Sequence, residues 1–190
     1  MTSVLTEVPP FNTDGLLPPG DVALTLDDLR ASLLVTGPGP SCPYWDADWR
    51  RYLVDNLEVM VRQLWHIGIE EVFVDGSFVE DKDHPNDIDG YFVCDLRELA
   101  SGRLERELNV IDPHKVWTWN PASRRAYRGY PKKQLPMWHV YRVELYPHFG
   151  QLCGIVDQYG NELEFPSAFR LSRRDGKPRG IVKLLKGGAQ

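Results

Sequence analysis

Cysteine is scarce in this chain, with three in 190 residues, at positions 42, 94 and 153. The number is odd and the three lie far apart, so we expect no disulfide framework, and none has the paired spacing of a structural zinc site. The sequence also lacks the apolar run of about 18 residues that a membrane helix needs, and it shows no signal peptide. These absences predict a protein of the reducing cytoplasm, with no membrane or export role.

Acidic residues are missing from one long segment. Residues 114–143 contain none of the 27 Asp and Glu residues but seven of the 22 Lys and Arg residues, interleaved with Trp and Tyr. Basic side chains beside aromatic rings suit contact with phosphates and stacked bases, so the segment predicts nucleotide or nucleic-acid contact. The alternative is a basic surface that only balances acidic residues across a cleft.

The remaining composition is typical of one globular domain. Apolar residues make up 42% of the chain, charged residues 26%, and the net charge is −5. At this length the chain can bury a substantial core. We predict a single domain over residues 25–186, preceded by an extended strap over residues 1–24, for which a floppy tail is the alternative, and followed by a disordered tail over residues 187–190.

The most informative stretch is residues 71–95, EVFVDGSFVEDKDHPNDIDGYFVCD. It contains, in order, an apolar run at 72–74, Gly76-Ser77, a charged connection, Asp87-Ile88-Asp89 and a second apolar run at 91–93. This order predicts a strand, a glycine turn, an excursion and a second strand. The alternative is a β-hairpin with a solvated acidic loop.

The spacing of the two aspartates indicates a chemistry. Side chains alternate along a strand, so Asp87 and Asp89 point the same way, about 7 Å apart at Cα, with Ile88 directed into the core. Two such carboxylates can hold Mg²⁺ or Mn²⁺, which prefer oxygen ligands. Gly76 lets the backbone approach a ligand closely. Ser77 adds a hydroxyl and an amide that can meet a phosphate.

At these residues the chain resembles the DNA polymerase β-like nucleotidyltransferase superfamily, whose signature is a Gly-Ser turn followed by Asp-hydrophobic-Asp. The wording GSFVEDKDHPNDID is also similar to a group of small, poorly characterised bacterial and phage proteins within that superfamily. This narrower resemblance extends to GLLPPGD, VELYPHFG and KPRGIVKL. The chain departs from the broad pattern at Asp75, where the superfamily usually has an apolar residue. A carboxylate there would repel a triphosphate unless a metal or a basic group offsets it.

The resemblance implies an α/β (α+β) fold, with a mixed β-sheet backed by helices. It implies Mg²⁺- or Mn²⁺-dependent transfer of a nucleoside monophosphate from a nucleoside triphosphate to an acceptor, with release of pyrophosphate. The acceptor stays open between a protein hydroxyl, an RNA end and a small molecule, and a toxin-like or defence-related role is an analogy only. The sequence leaves the oligomeric state open.

The resemblance also implies a third carboxylate on the strand beside the aspartates, and we nominate Glu144. The run WHVYRVELY, residues 138–146, predicts a strand on which Glu144, Arg142 and Tyr146 face the cleft. The alternative is that Glu144 merely pairs with Arg142 or a lysine. The expected catalytic and metal-binding residues are Asp87, Asp89 and Glu144. The expected nucleotide contacts are Gly76, Ser77, Arg124, Arg125, Arg128, Lys132 and Arg142, with the three arginines at 124–128 spaced like one helical turn.

Other functions remain open at this point. Glu in place of the commoner Asp at position 144, and Asp75 beside the turn, are compatible with a catalytically silent nucleotidyltransferase fold that is a binding module for nucleotide, RNA or protein. A third hypothesis is a nucleic-acid-binding protein that acts through residues 115–133.

Flanking elements are predicted from helical periodicity and capping residues. We expect helices from Thr25 to about residue 36, over residues 46–67, and over residues 96–108 with Asp95 as cap. We expect a hairpin or lid within residues 149–166 and a last strand at 180–185.

Overall fold

A computed structural model describes residues 6–40 and 42–187 of the chain. It has a five-stranded mixed sheet with several helices, which confirms the expected mixed α and β fold. Residues 1–5 of the predicted strap and residues 188–190 of the predicted tail lie outside the described residues. Within the described part of the chain, no helix combines the length and the apolar character needed to span a membrane.

The main sheet has the strand order β1-β7-β2-β3-β4. Its strands are β1 (Asp21–Leu24), β2 (Val72–Asp75), β3 (Ile88–Val93), β4 (Val143–His148) and β7 (Ile181–Leu184). A separate antiparallel pair consists of β5 (Leu152–Val156) and β6 (Glu162–Glu164). The helices are α1 (Leu26–Ala31), α2 (Leu33–Thr36), α3 (Ala47–His66), α4 (Leu96–Ala100), α5 (Arg103–Ile111), α6 (Pro136–Tyr141) and α7 (Phe165–Ala168).

The two ends of the chain build one side of this sheet. The predicted last strand is confirmed as β7, which lies between β1, to which it is parallel, and β2, to which it is antiparallel. The last residues of the predicted strap form β1, and Leu16 and Leu17 just before it are fully buried. This part of the N-terminal segment is therefore integral to the sheet.

The register of the central strands positions the candidate site. β2 and β3 are antiparallel, with Asp75 opposite Asp89. β3 and β4 are parallel, with Asp89 opposite Glu144. Three carboxylate-bearing residues therefore stand in one row across neighbouring strands, about 5 Å apart from strand to strand.

Helix α3 packs against the sheet as predicted. Asp46 caps it by accepting a hydrogen bond from the Trp49 backbone N–H at 2.9 Å. Its apolar stripe is fully buried, and the stripe includes Leu53, Leu57 and Leu64. The helical spacing of apolar residues was a sufficient signal here because the stripe continues over the whole helix.

Two predicted helices are interrupted by serine. Thr25 forms a capping box with Asp28 at the start of α1, but the helix breaks at Ser32, whose side chain caps α2. The predicted 96–108 helix is two helices, α4 and α5, and Gly102 between them has a φ of 68°. Local hydrogen bonds from serine hydroxyls compete with the continuous helical ladder at both breaks.

The predicted strand over residues 138–146 is wrong in its first half. Residues 136–141 form α6, and β4 begins only at Val143. Pro136 suits the first turn of a helix, and Met137, Trp138 and Tyr141 are buried, so tertiary packing overrides the two-residue alternation. Arg142 joins the two elements in the left-handed conformation, with a φ of 56°.

Arg50 of α3 fixes the connection that follows the Gly-Ser turn. It is fully buried, and its guanidinium donates to the backbone carbonyls of Leu34 and Phe78, both at 2.7 Å. It also donates to the carbonyls of Glu80 at 3.1 Å and Lys82 at 2.6 Å. The connection from β2 to β3 is thus bonded to the helix behind the sheet.

We expect Arg50→Met to lower the free energy of unfolding by about 3 kcal/mol or more, because four carbonyls lose a buried donor. The neighbouring Arg51, which donates to the exposed Asp48, gives a matched control, Arg51→Met, expected to stay within about 0.5 kcal/mol of the wild type. Urea unfolding measures both. Equal losses in the two variants would contradict a special role for Arg50.

Candidate functional site

The Gly-Ser turn packs directly against one of the two aspartates. β2 ends at Asp75, and a short 3₁₀ helix, Gly76–Val79, follows. Gly76 has a φ of +78°, and a Cβ at this position would lie 2.8 Å from Oδ2 and 3.1 Å from Cβ of Asp89. Glycine is therefore required here both by the backbone conformation and by the close approach.

Asp75, the departure from the superfamily pattern, has a basic partner. It is fully buried and its Oδ2 lies 2.5 Å from Nη2 of Arg179, which also pairs with Glu80. Burial raises the pKa of the Asp75 carboxyl to about 7, and the charge of Arg179 works against that rise. Asp75 and Arg179 both line the cavity at the turn, and the charge of Asp75 there is opposed by that of Arg179.

Asp87 and Asp89 are half-buried and differ in their partners. The Asp87 carboxylate accepts a hydrogen bond from Nε1 of the buried Trp138 at 2.7 Å. Among residues 6–40 and 42–187, none donates a hydrogen bond to the Asp89 carboxylate. Burial raises the pKa of Asp89 to about 8, and the nearby charge of Asp87 adds to this effect. Burial also raises the pKa of Asp87, although the Trp138 hydrogen bond opposes it.

Glu144 stands beside Asp89, as nominated, but its oxygens are engaged within the protein. Oε1 accepts the backbone N–H of Leu135 at 2.8 Å, and the Tyr146 hydroxyl donates to Oε2. Nη1 of Arg124 lies 3.6 Å from Oε1. Glu144 as a whole is 4% exposed. Glu144 therefore does pair with an arginine, but the arginine is Arg124 and not Arg142.

The carboxylates fit a divalent cation in part. In the described ranges, 6–40 and 42–187, no group of three or more His, Cys, Asp or Glu side chains is arranged to hold a metal ion. Within the part of the chain that the structure describes, Asp87 and Asp89 nevertheless place two half-buried carboxylates together without a cationic hydrogen-bond partner. Burial raises the pKa of both, and repulsion by the charge of Asp87 adds to the rise at Asp89. A cation would relieve that repulsion. Asp87 and Asp89 are available as its ligands, whereas both oxygens of Glu144 are bonded within the protein.

The basic segment contributes fewer residues to the cleft than predicted. Arg124, Arg125 and Arg128 do not form one helical turn, because the 3₁₀ helix is Pro121–Ser123 and the chain after it is extended. Arg125 pairs with Gln134 through the backbone, and Arg128 lies in an exposed turn. Arg124 and Lys132 do line the cleft.

Arg142 is also placed differently from the prediction. Its guanidinium carbon lies 3.9 Å from the centre of the Trp138 ring and 4.3 Å from that of Tyr127. Such cation–π contacts support the indole that donates to Asp87. Arg142 is therefore a support of Trp138 and does not line the cleft as a residue of a strand would.

The cleft consists of two neighbouring cavities that share a border. The first, of about 530 Å³, contains the Gly76-Ser77 turn, Lys82 and Asp89. The second, of about 710 Å³, contains Asp87, Asp89 and Glu144 with the basic residues Arg124, Lys132 and Lys133. Asp89, Phe169 and Arg173 line both cavities.

Sequence reasoning missed Lys82 and Arg173 as residues of the cleft. Lys82 stands in the charged connection of the motif, and Arg173 belongs to a basic run near the end of the chain. The sequence showed that this run is basic, but only the fold places it beside the Gly-Ser turn, which lies about 100 residues earlier in the sequence.

A scan of protein families matches residues 9–185 to DUF6932, a family of unknown function. The chain belongs to the family DUF6932. No curated protein and no solved structure matches this DUF6932 member. The family match spans the Gly-Ser turn, the row of carboxylates and the basic residues of both cavities, so all of them lie in the part that defines the family.

We expect Gly76→Ala to destabilise the fold by about 1 kcal/mol more than Gly160→Ala, because only the former meets a side chain at 2.8 Å. Gly160 has a similar φ, +84°, with nothing within 4 Å of a Cβ, so both variants share the cost of the left-handed conformation. Thermal and urea unfolding compare the two. Equal destabilisation would mean that the turn does not press on Asp89.

Proposed function

We propose that this protein is a Mg²⁺- or Mn²⁺-dependent nucleotidyltransferase, which moves a nucleoside monophosphate from a nucleoside triphosphate to an acceptor hydroxyl. The observation that supports this most is the packing of the Gly76-Ser77 turn against Asp89, with Asp87 beside it. A turn that suits phosphate and a pair of half-buried carboxylates that suit a cation meet at one point. The resemblance to the DNA polymerase β-like superfamily rests on these same residues.

Under this proposal, the main polar residues of the cleft have the following roles. The backbone at Gly76 and the hydroxyl and amide of Ser77 hold the β- and γ-phosphates, and Lys82 offsets their charge. Asp87 and Asp89 hold the cation, which when bound neutralises phosphate charge and favours loss of the acceptor proton. Trp138 fixes the orientation of Asp87 through its N–H. Glu144 adds negative charge beside the pair, and its bond from Leu135 keeps the basic segment next to the carboxylates.

Chemistry in such a site needs no covalent enzyme intermediate. The acceptor oxygen forms a bond to the α-phosphorus, the bond from that phosphorus to the bridging oxygen breaks, and pyrophosphate leaves while the acceptor proton passes to solvent. Positioning and charge neutralisation account for most of the rate in reactions of this class.

A binding module without catalysis is the second candidate. The observation that favours it is that both oxygens of Glu144 are engaged by Leu135 and Tyr146, which leaves two carboxylates for a cation. Such a module would bind a nucleoside triphosphate with Mg²⁺ and release no pyrophosphate.

We place the proposed activity in the cytoplasm, because Cys42, Cys94 and Cys153 are all free thiols. The acceptor is a protein hydroxyl, an RNA end or a small molecule. Incubation with each α-labelled triphosphate and a whole-cell extract, followed by separation of labelled products, identifies its class.

We expect Asp87→Asn combined with Asp89→Asn to abolish Mg²⁺-dependent binding of nucleoside triphosphate and to lower pyrophosphate release by about 100-fold or more, because the cation loses both free carboxylates. Calorimetric titration of ATP, GTP, CTP and UTP, with and without Mg²⁺, and a pyrophosphate assay measure the two effects.

The control variant makes the same change in charge at two residues that lie outside the cleft. Asp27 and Asp48 have side chains that are 96% and 97% exposed, so Asp27→Asn with Asp48→Asn is expected to leave both measurements unchanged. Binding without pyrophosphate release in the wild type would favour the second candidate. Triphosphate binding that survives the Asp87/Asp89 change would refute both.

A further inference from the structure

Arg173 lies where the two cavities of the cleft meet. It belongs to the loop between α7 and β7, it is exposed, and it lines the cavity of the Gly-Ser turn as well as the cavity of the basic segment. Asp89 and Phe169 are the other residues common to both cavities, and neither carries positive charge. Arg173 is therefore the cation at the border.

Arg173 has no polar partner among the residues that the structure describes. It has no ion pair within 4.0 Å there, and it donates no hydrogen bond. The other cations of its loop are tethered. Arg170 forms a bidentate pair with Asp21, from Nε to Oδ1 at 3.0 Å and from Nη2 to Oδ2 at 2.7 Å, and Lys177 lies 2.5 Å from the Asp14 carboxylate. Its neighbour Arg174 donates to the Asp14 carbonyl at 3.2 Å and lies 3.8 Å from Glu80.

The field of Arg173 reaches the carboxylates below it. Arg173 lines both cavities together with Asp89, and the first cavity together with Asp75 as well. The guanidinium is thus close enough to the floor of the cleft to act on an anion held there. A planar guanidinium that is free of protein partners can grip two phosphate oxygens at once.

The two cavities differ in what they can bind. The first offers the phosphate-binding turn and Lys82, which suit a triphosphate. The second offers Arg124, Lys132 and Lys133 beside the aromatic side chains of Tyr146 and Phe165. If the proposed function holds, on which this inference rests, one phosphoryl group must pass from the first cavity toward the second, and its path crosses the border at Asp89.

We propose that Arg173 contacts the α-phosphate as it passes between the cavities, so that the first cavity holds the departing pyrophosphate and the second holds the acceptor. In that step the bond from the α-phosphorus to the pyrophosphate oxygen breaks, the bond to the acceptor oxygen forms, and the acceptor proton goes to solvent. Arg173 changes neither its own charge nor its bonds in the step and stabilises the charge that develops on the transferred group.

The test compares Arg173→Ala, Arg173→Lys and, as control, Arg51→Ala. The assay uses each α-labelled nucleoside triphosphate with Mg²⁺ and a heat-treated cell extract as acceptor source, and it measures transferred label, pyrophosphate release and, by calorimetry, triphosphate affinity. We expect Arg173→Ala to lower the rate at saturating triphosphate by about 100-fold while affinity changes by less than about threefold, because the contact is strongest during transfer. Arg173→Lys should recover part of the rate, since lysine keeps the charge and loses the fork. Arg51→Ala, which removes an arginine outside both cavities that pairs with the exposed Asp48, should stay within about twofold of the wild type.

The outcomes separate this inference from the function on which it rests. A wild type that neither binds triphosphate nor releases pyrophosphate overturns both. An active wild type with equal rates for Arg173→Ala and Arg51→Ala overturns the inference alone. A loss of affinity at an unchanged saturated rate also overturns it, because the contact would then belong to the bound substrate and not to transfer. Thermal unfolding of Arg173→Ala should match the wild type, and a clear drop would mean that Arg173 is a structural residue.

Discussion

The structure depends on how it manages three carboxylates that the strand register places side by side. Asp75, Asp89 and Glu144 stand opposite one another on β2, β3 and β4, in or beside the core, where unpaired charge is costly. Asp75 is neutralised by Arg179, and Glu144 is satisfied by Leu135, Tyr146 and Arg124. Among residues 6–40 and 42–187, Asp89 has no such partner. Of the three carboxylates in the row, the one that packs against the Gly-Ser turn is therefore left without a cation or a donor.

Several distant parts of the chain hold that arrangement in place. Arg50 of α3 bonds the connection between β2 and β3, and Trp138 of α6 bonds Asp87. Strand β7 lies between β1 and β2, and this position places Arg179, just before the strand, beside the turn. An arrangement fixed by long-range contacts loses little entropy when a ligand binds, which is the usual property of a preorganised site.

Prediction from sequence succeeded where one local pattern was long or chemically specific. The sequence predicted correctly the apolar stripe of α3 and the helix caps Thr25 and Asp95. It also predicted the order of strand, turn and strand around Gly76 and Asp87–Asp89. It failed at residues 136–141 because the two-residue alternation there is contradicted only by burial of Met137, Trp138 and Tyr141 in the tertiary core. It failed at Arg124–Arg128 because a backbone bridge from Arg125 to Gln134 keeps the start of that stretch extended, and Arg128 lies in a separate turn.

By itself, the sequence determined the mixed α and β fold class, the glycine turn and the pairing of Asp87 with Asp89, because each depends on residues a few positions apart. Only the tertiary structure decided which charged side chains are bonded within the protein and which face the cleft. Arg179 and Glu144 are bonded within the protein, whereas Asp89 and Arg173 face the cleft across about 80 residues of sequence. That division follows from strand order and loop docking, which no local spacing encodes, since it is set by contacts between segments far apart in the chain.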